Sequence, residues 1–256
     1  MNFVEKFKKR RKKVKNVLVV GLDTNYERLP KGFSEDANGV YEYNKRVIEA
    51  TKDVACAYKL NSAFYEMLGP DGMMVLKKTR ELIDEEIPTI YDFKRSDISS
   101  TAAAYAKAAF EYYDFDSVTL SPYMGWDAVE PFLEYDGRYA FLVCLSSNKS
   151  AADFEYHGNP PLYIEVATSV APFGDKCGLV VGATVPTALK DVHEIAPNAL
   201  ILVPGVGTQG GSAKEVMASS AREQLLVNVS RSIIFSDDPR KAALEYAKEL
   251  KWEKSK

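Results

Sequence analysis

Residues 90–101, IYDFKRSDISST, place Asp92, Lys94 and Asp97 within six positions, at the end of an apolar run and the start of a helical one. Two carboxylates flanking an ammonium can hold one another charged without water, which chemistry on a charged substrate needs. Taken alone, D-x-K-x-x-D equally describes a solvated loop with loosely paired charges, so the surrounding elements must decide.

Short β-branched runs recur along the chain at Val17–Leu22, Val54–Leu60, Thr89–Phe93, Ser117–Leu120, Ala140–Leu145, Gly178–Gly182, Leu200–Pro204 and Leu225–Val229. Being continuous rather than alternating, they match strands of a parallel sheet buried on both faces. Between them lie amphipathic segments such as Asn38–Lys52, Gly72–Glu86, Ile98–Tyr113 and Ser212–Glu223. Alternation without a composition break predicts one α/β domain over residues 1–256. Eight strand–helix units in a chain of this length favour a closed (β/α)8 TIM barrel over an open doubly wound sheet. No G-x-G-x-x-G follows the first strand, which counts against a dinucleotide fold.

Polar residues fall where such a barrel builds its sites. Asp23 follows the first strand, Lys59 ends the second, and Asp92 and Lys94 end the third. Ser121-Pro122, Ser146-Ser147-Asn148, Thr184, Gly205–Gly211 and Ser230-Arg231 follow the other five. All these strand ends share one face of a barrel, the face that carries catalysis. That placement turns the Asp92–Lys94–Asp97 cluster into a candidate active site.

The segment VPGVGTQGGS (203–212) carries four glycines in seven positions and leads into a helix. Glycines permit close backbone approach, and free N–H groups at a helix start attract an anion. Gln209 offers a side-chain donor, and Arg231 after the eighth strand offers a bidentate fork for phosphate oxygens. A phosphorylated substrate is therefore expected. Lys59, at the end of VACAYK (54–59), is a Schiff-base candidate taken alone. Two lysines and two aspartates converging keep both ammoniums protonated, which disfavours that role. Tyr123-Met124-Gly125-Trp126 is read as packing between a loop and a helix rather than as an aromatic lid.

The net charge of −3 predicts no general affinity for nucleic acid or anionic membrane. Residues 1–15 are locally basic, with Lys6, Lys8, Lys9, Arg10, Arg11, Lys12, Lys13 and Lys15. They predict a short opening helix with Phe3, Val4, Phe7 and Val14 turned inward and the basic face in solvent. No run approaches the roughly 20 apolar residues of a membrane span, and the chain is read as cytoplasmic. Cys56, Cys144 and Cys177 have no paired spacing and read as buried small hydrophobes; His157 and His193 have no ligand partner, so no metal site is assigned.

With these residues in hand, the chain resembles a known family, the orotidine 5′-phosphate decarboxylases, in its longer bacterial branch. DFKRSDI (92–98) looks like the family's D-x-K-x-x-D-I signature. AYKLNSAFYE (57–66), SPYMG (121–125), VVGATVP (180–186), PGVGTQGG (204–211) and NVSR (228–231) resemble further blocks, in order, over nearly the whole chain. The resemblance implies a (β/α)8 barrel working as a homodimer on orotidine 5′-monophosphate. The products would be uridine 5′-monophosphate and carbon dioxide, the last step of de novo UMP synthesis, with no cofactor or metal.

By position, Lys59, Asp92, Lys94 and Asp97 match the family's catalytic array, with Asp97 reaching into the partner's site. Ile98 and Thr101 match residues also contributed across the dimer, and Asp23 matches a ribose-hydroxyl ligand. Ser147 matches the pyrimidine-reading serine, Pro204 lines the base pocket, and Gln209 and Arg231 match the phosphate ligands. Departures are Ser96, Thr24, Lys149 and Thr208, where glycine, proline, proline and alanine are usual; none removes a charge. The competing readings are a magnesium-dependent sugar-phosphate lyase or decarboxylase, which carries an acidic residue where Lys59 stands, and an inactive nucleotide-binding barrel.

Overall fold

The eight apolar runs form eight strands: β1 (Leu18–Gly21), β2 (Ala57–Asn61), β3 (Thr89–Arg95), β4 (Ser117–Leu120), β5 (Tyr139–Leu145), β6 (Cys177–Val181), β7 (Ile201–Val203) and β8 (Leu225–Val229). In this computed structural model, which describes residues 1–207 and 210–253, they close in sequence order into a parallel barrel, with β8 pairing β1. The (β/α)8 fold expected from the alternation is the fold observed. Its strands are buried almost throughout, because helices cover their outer faces and side chains fill the interior.

The helices are α1 (Phe3–Val14), α2 (Ala37–Thr51), α3 (Ala63–Glu66), α4 (Gly69–Glu81), α5 (Ser99–Lys107), α6 (Glu130–Leu133), α7 (Leu162–Val170), α8 (Pro186–Ile195), α9 (Ala213–Ala218), α10 (Arg231–Ile234) and α11 (Pro239–Glu249). Caps set several of their starts. The Asp36 carboxylate accepts from Gly39 N and the Asp238 carboxylate from Lys241 N. Two expected helices break early. The segment 98–113 ends its α-helix at Lys107 and passes into a wider turn over Ala108–Tyr112. The segment 212–223 divides into α9 and a tighter turn over Ser220–Glu223.

Helix α1 corrects one expectation. A capping box starts it, with Asn2 Oδ1 accepting from Glu5 N and Glu5 Oε2 from Asn2 N. Phe3 and Phe7 are buried as expected, Phe3 lying 5.2 Å from the Tyr139 ring. The basic face is not wholly in solvent, because Lys6, Arg10 and Arg11 are buried as well. The helix lies across the floor of the barrel, where the segments entering the strands present carbonyls and carboxylates. Lys6 Nζ donates to both oxygens of Asp116 at 2.8 Å, just before β4. Arg10 donates to Ala55 O at 3.0 Å, to Lys52 O, and to Glu86 at 3.1 Å. Arg11 meets Glu223 and stacks over Trp252 at 4.2 Å. Lys8, Lys9, Lys12, Lys13 and Lys15 remain exposed.

Candidate active site

At the opposite end, the strand ends surround a cavity of about 310 Å³. Parallel pairing stacks the charged positions: Gly21 pairs with Lys59, and Asn61 with Asp92. Side chains two apart on a strand share a face, so Lys59 and Asn61 of β2 and Asp92 and Lys94 of β3 all turn into the mouth. The pairing of β3 with β4 shifts between Tyr91 and Arg95, and Lys94 adopts a φ of +44°. This kink aims its side chain inward while its N–H donates to Thr119 Oγ1 at 3.2 Å.

The ion pairs form one chain. Lys59 Nζ lies 2.9 Å from Asp23 Oδ1 and 3.1 Å from Asp92 Oδ2. Lys94 Nζ lies 2.5 Å from Asp92 Oδ1. Thr119 Oγ1 donates to Asp92 Oδ1 at 2.8 Å, and Asn61 Nδ2 to Asp92 Oδ2 at 3.4 Å. Lys59 is 3% exposed and Asp92 7%. Burial favours the neutral acid at Asp92, but Lys59, Lys94 and the bonds from Lys94 and Thr119 outweigh it and hold the carboxyl well below its usual range. Burial likewise works against a charged Lys59, and Asp23 and Asp92 overcome it, so the ammonium is held above its ordinary range. Such a pair presents fixed charges rather than a proton reservoir near neutrality.

The rest of the cavity wall comes from the later strands. Ser146, Ser147 and Asn148 follow β5, Pro204 and Gly205 follow β7, and Ser230 and Arg231 follow β8. Gly182 makes room for Ser147, since a Cβ there would stand 2.8 Å from the Ser147 Cα. Glu155 fastens the same loop by accepting from Ser146 N at 2.7 Å. The Arg231 side chain has no ion-pair partner among the described residues. A larger open groove of about 1020 Å³ lies outside the barrel between α9, α10 and α11, away from the charged array.

One chain therefore gathers Asp23, Lys59, Asp92, Lys94, Ser147, Pro204 and Arg231 around a single cavity. It does not bring Asp97, Ile98 or Thr101 into the wall of that cavity. Asp97 is half-buried and accepts from Ile98 N at 2.8 Å; Ile98, 46% exposed, and Thr101 face outward at the start of α5. Gln209 and Thr208 lie outside the described residues. Ser146, Asn148 and Ser230 line the cavity as polar strand-end residues, as their placement after β5 and β8 suggests; sequence reasoning missed Asn61, Thr119 and Asn228. A period of two would have found two of them, because Asn61 lies two residues after Lys59 and Asn228 two before Ser230. Of residues 123–126, Trp126 packs against Phe173 at 4.7 Å as expected, whereas Tyr123 and Met124 are exposed. Cys56, Cys144 and Cys177 are all buried, and burial pushes the Cys56 thiol up to about 12.

A closed parallel barrel with a polar cavity at the carboxyl ends of its strands is the architecture of (β/α)8 barrel enzymes. Residues 16–246 match the profile of the orotidine 5′-phosphate decarboxylase / HUMPS family. An orotidine 5′-phosphate decarboxylase from Herpetosiphon aurantiacus is 44% identical over 240 residues, covering 91% of this chain and 90% of that protein. Among solved structures, Leishmania donovani OMP decarboxylase superposes with a TM-score of 0.88 at 37% identity, covering 98% of both chains. Leishmania donovani UMP synthase superposes with a TM-score of 0.89 at 39% identity; this chain is covered over 98% of its length and spans 56% of that larger one. The chain belongs to the orotidine 5′-phosphate decarboxylase / HUMPS family.

Proposed function

We propose that this barrel decarboxylates orotidine 5′-monophosphate to uridine 5′-monophosphate and carbon dioxide, the closing step of de novo UMP synthesis. The observation that carries the reading is the buried alternation Asp23–Lys59–Asp92–Lys94 in a cavity that also reaches Arg231, in a chain of this family.

Breaking the bond between C6 and the carboxylate leaves an electron pair at C6 of a ring with no obvious sink. The protein must stabilise that charge electrostatically. Lys94 faces the developing carbanion with its ammonium and then delivers a proton to C6; solvent restores the proton. Asp92 holds Lys94 in place and charged, and Asp97 of a second subunit completes the array. Asp23 takes a ribose hydroxyl, Ser147 reads the pyrimidine, and Pro204 lines the base pocket. Arg231 and Gln209 grip the phosphate, and that remote binding energy closes the loops around the ring. In this reading the working unit is a cytoplasmic homodimer, with Ile98 and Thr101 also contributed across the interface. The exposure of Ile98 at the start of α5 supports that arrangement.

No cofactor or metal enters the mechanism. The Lys59 ammonium between two carboxylates would repel a divalent cation there, which weighs against the magnesium-dependent alternative. The test is loss of orotidylate absorbance with excess EDTA present. Undiminished turnover is expected; absence of turnover that magnesium restores would favour the metal-dependent lyase, and absence under both conditions the inactive barrel.

A further inference from the structure

Two side chains at the end of β8 have no part in the chemistry above. Asn228 is 7% exposed, and its Oδ1 finds no hydrogen-bond partner among the described residues. Ser230 Oγ is buried and equally unpartnered. Buried polar atoms are paired in the great majority of cases. Arg11 Nε, Arg95 Nε, Ser96 Oγ and Arg222 Nε are also unpartnered among the described residues, but of this set only Asn228 and Ser230 belong to the wall of the mouth cavity, where a ligand can pair them. Both residues line the same cavity as Lys59 and Arg231. Their spacing of two puts them on the inward face of the strand.

Their position is built rather than incidental. In the pairing of β1 with β8, Val19 stands opposite Asn228 and Val20 opposite Val229. The next residue of β1 is Gly21, where a Cβ would lie 2.7 Å from Ser230 Cβ, 2.9 Å from Asn228 Oδ1 and 3.1 Å from Ser230 Oγ. Only the missing side chain lets the amide and hydroxyl sit at this seam. The seam separates Arg231, directly after Ser230, from Asp23, two residues after Gly21.

We propose that Asn228 and Ser230 bind the sugar of the substrate, pairing with ribose hydroxyl groups. The inference rests on reading the cavity as an orotidylate site. A ligand with its phosphate on Arg231 and its ring over Lys94 lays its sugar across the β8–β1 seam. The chemistry suits that segment, and the unpartnered Asn228 Oδ1, which can only accept, argues against a phosphate there. A phosphate calls for cations, and a carbonyl or carboxylate oxygen offered to it would repel. A ribose hydroxyl both donates and accepts, and so do a carboxamide and a serine hydroxyl.

The experiment compares the unaltered enzyme with Asn228→Ala and Ser230→Ala on orotidylate and on its 2′-deoxy and 3′-deoxy analogues. Steady-state kcat and KM are measured for each, with thermal unfolding to show that the variants fold. On orotidylate each substitution is expected to lower kcat/KM by roughly tenfold, carried mainly by KM. On the analogue lacking the contacted hydroxyl, the penalty is expected to shrink to under about twofold, because the contact is already gone. Equal penalties on all three substrates, or none on any, would overturn the sugar assignment while leaving the decarboxylase reading intact. If the unaltered enzyme fails to turn over orotidylate, both readings fall together. Should Asn228→Ala not fold, Ser230→Ala carries the same comparison.

Discussion

At the floor of the barrel, Arg10 and Arg11 reach backbone carbonyls and carboxylates of the chain itself; at the mouth, Arg231 reaches none among the described residues. The floor buries Lys6, Arg10 and Arg11, and the mouth buries Lys59 and Asp92, so buried charge alone does not mark a catalytic site. The difference lies in what the charges border, since one floor atom, Arg11 Nε, is also buried without a partner among the described residues. Floor charges are tied to the segments that enter β2, β4 and β8. At the mouth, the Lys59–Asp92–Lys94 array borders a cavity whose wall includes the unpartnered Asn228 Oδ1 and Ser230 Oγ. Charge tied to the chain's own segments holds a fold, and charge that lines a cavity beside unmet polar atoms waits for a ligand.

Breaking the mouth should abolish chemistry and spare folding. Lys94→Ala is expected to lower kcat by at least about 10⁴-fold, since the proton donor and the charge facing C6 disappear together. Calorimetry should still show UMP binding within roughly tenfold of the unaltered protein, and a near-normal kcat would remove Lys94 from its role. Arg231→Ala comes next, with kcat/KM down by about 10²-fold, mostly through KM. An unchanged kcat/KM would take this arginine out of the phosphate grip.

Breaking the floor should do the reverse. Arg10→Ala leaves Ala55 O and Lys52 O without their donor, and is expected to cost about 2–4 kcal/mol of stability. Thermal unfolding would register this as a lower Tm, while kcat at 25 °C stays within about twofold. A matching loss of kcat would erase the distinction between the two ends.

The smallest expected effect concerns pH. Asp92 is held below its usual range, so its contribution to stability is complete above the unfolded value of about 4 and is lost as pH falls through the folded value. Lys59 is held above its range, so its contribution is complete below about 10.4 and is lost as pH rises through the folded value. Urea unfolding of the unaltered protein and Asp92→Asn should therefore differ by a constant amount between about pH 5 and 9, and converge only in stronger acid. A titration of that difference inside the window would show that the array is not permanently charged.

The barrel was legible because its strands are continuous apolar runs with polar residues at one end. Ser117–Leu120 and Leu225–Val229 match the observed strands residue for residue. Thr89–Phe93 fell short of Arg95, because the kink at Lys94 carries polar residues that an apolar-run criterion rejects. Thr119 and Asn228 were passed over for the opposite reason, being polar residues inside apolar strands. The floor was misread because lysine and arginine suggest solvent, and nothing local reveals carbonyls waiting on segments far along the chain. Asp97 was legible as part of the charged cluster, but its place across a dimer, like the roles of Ile98 and Thr101, came from family resemblance alone, since spacing within one chain says nothing about a second one.

The floor also sets an order of events. Lys15 O accepts from Trp252 N at 2.9 Å, Asn16 bridges to Lys251, and Val17 N donates to Leu250 O. Helix α1 leaves the ribosome long before Glu223 and Trp252 exist to receive Arg11. Contacts of such long sequence separation form late, because the intervening chain must first be gathered. Arg10 can meet Lys52, Ala55 and Glu86 earlier, but the latches of Arg11, Lys15 and Val17 wait until the far strands arrive. Sealing the floor is a closing act of folding, and an incomplete chain would carry an unlatched barrel.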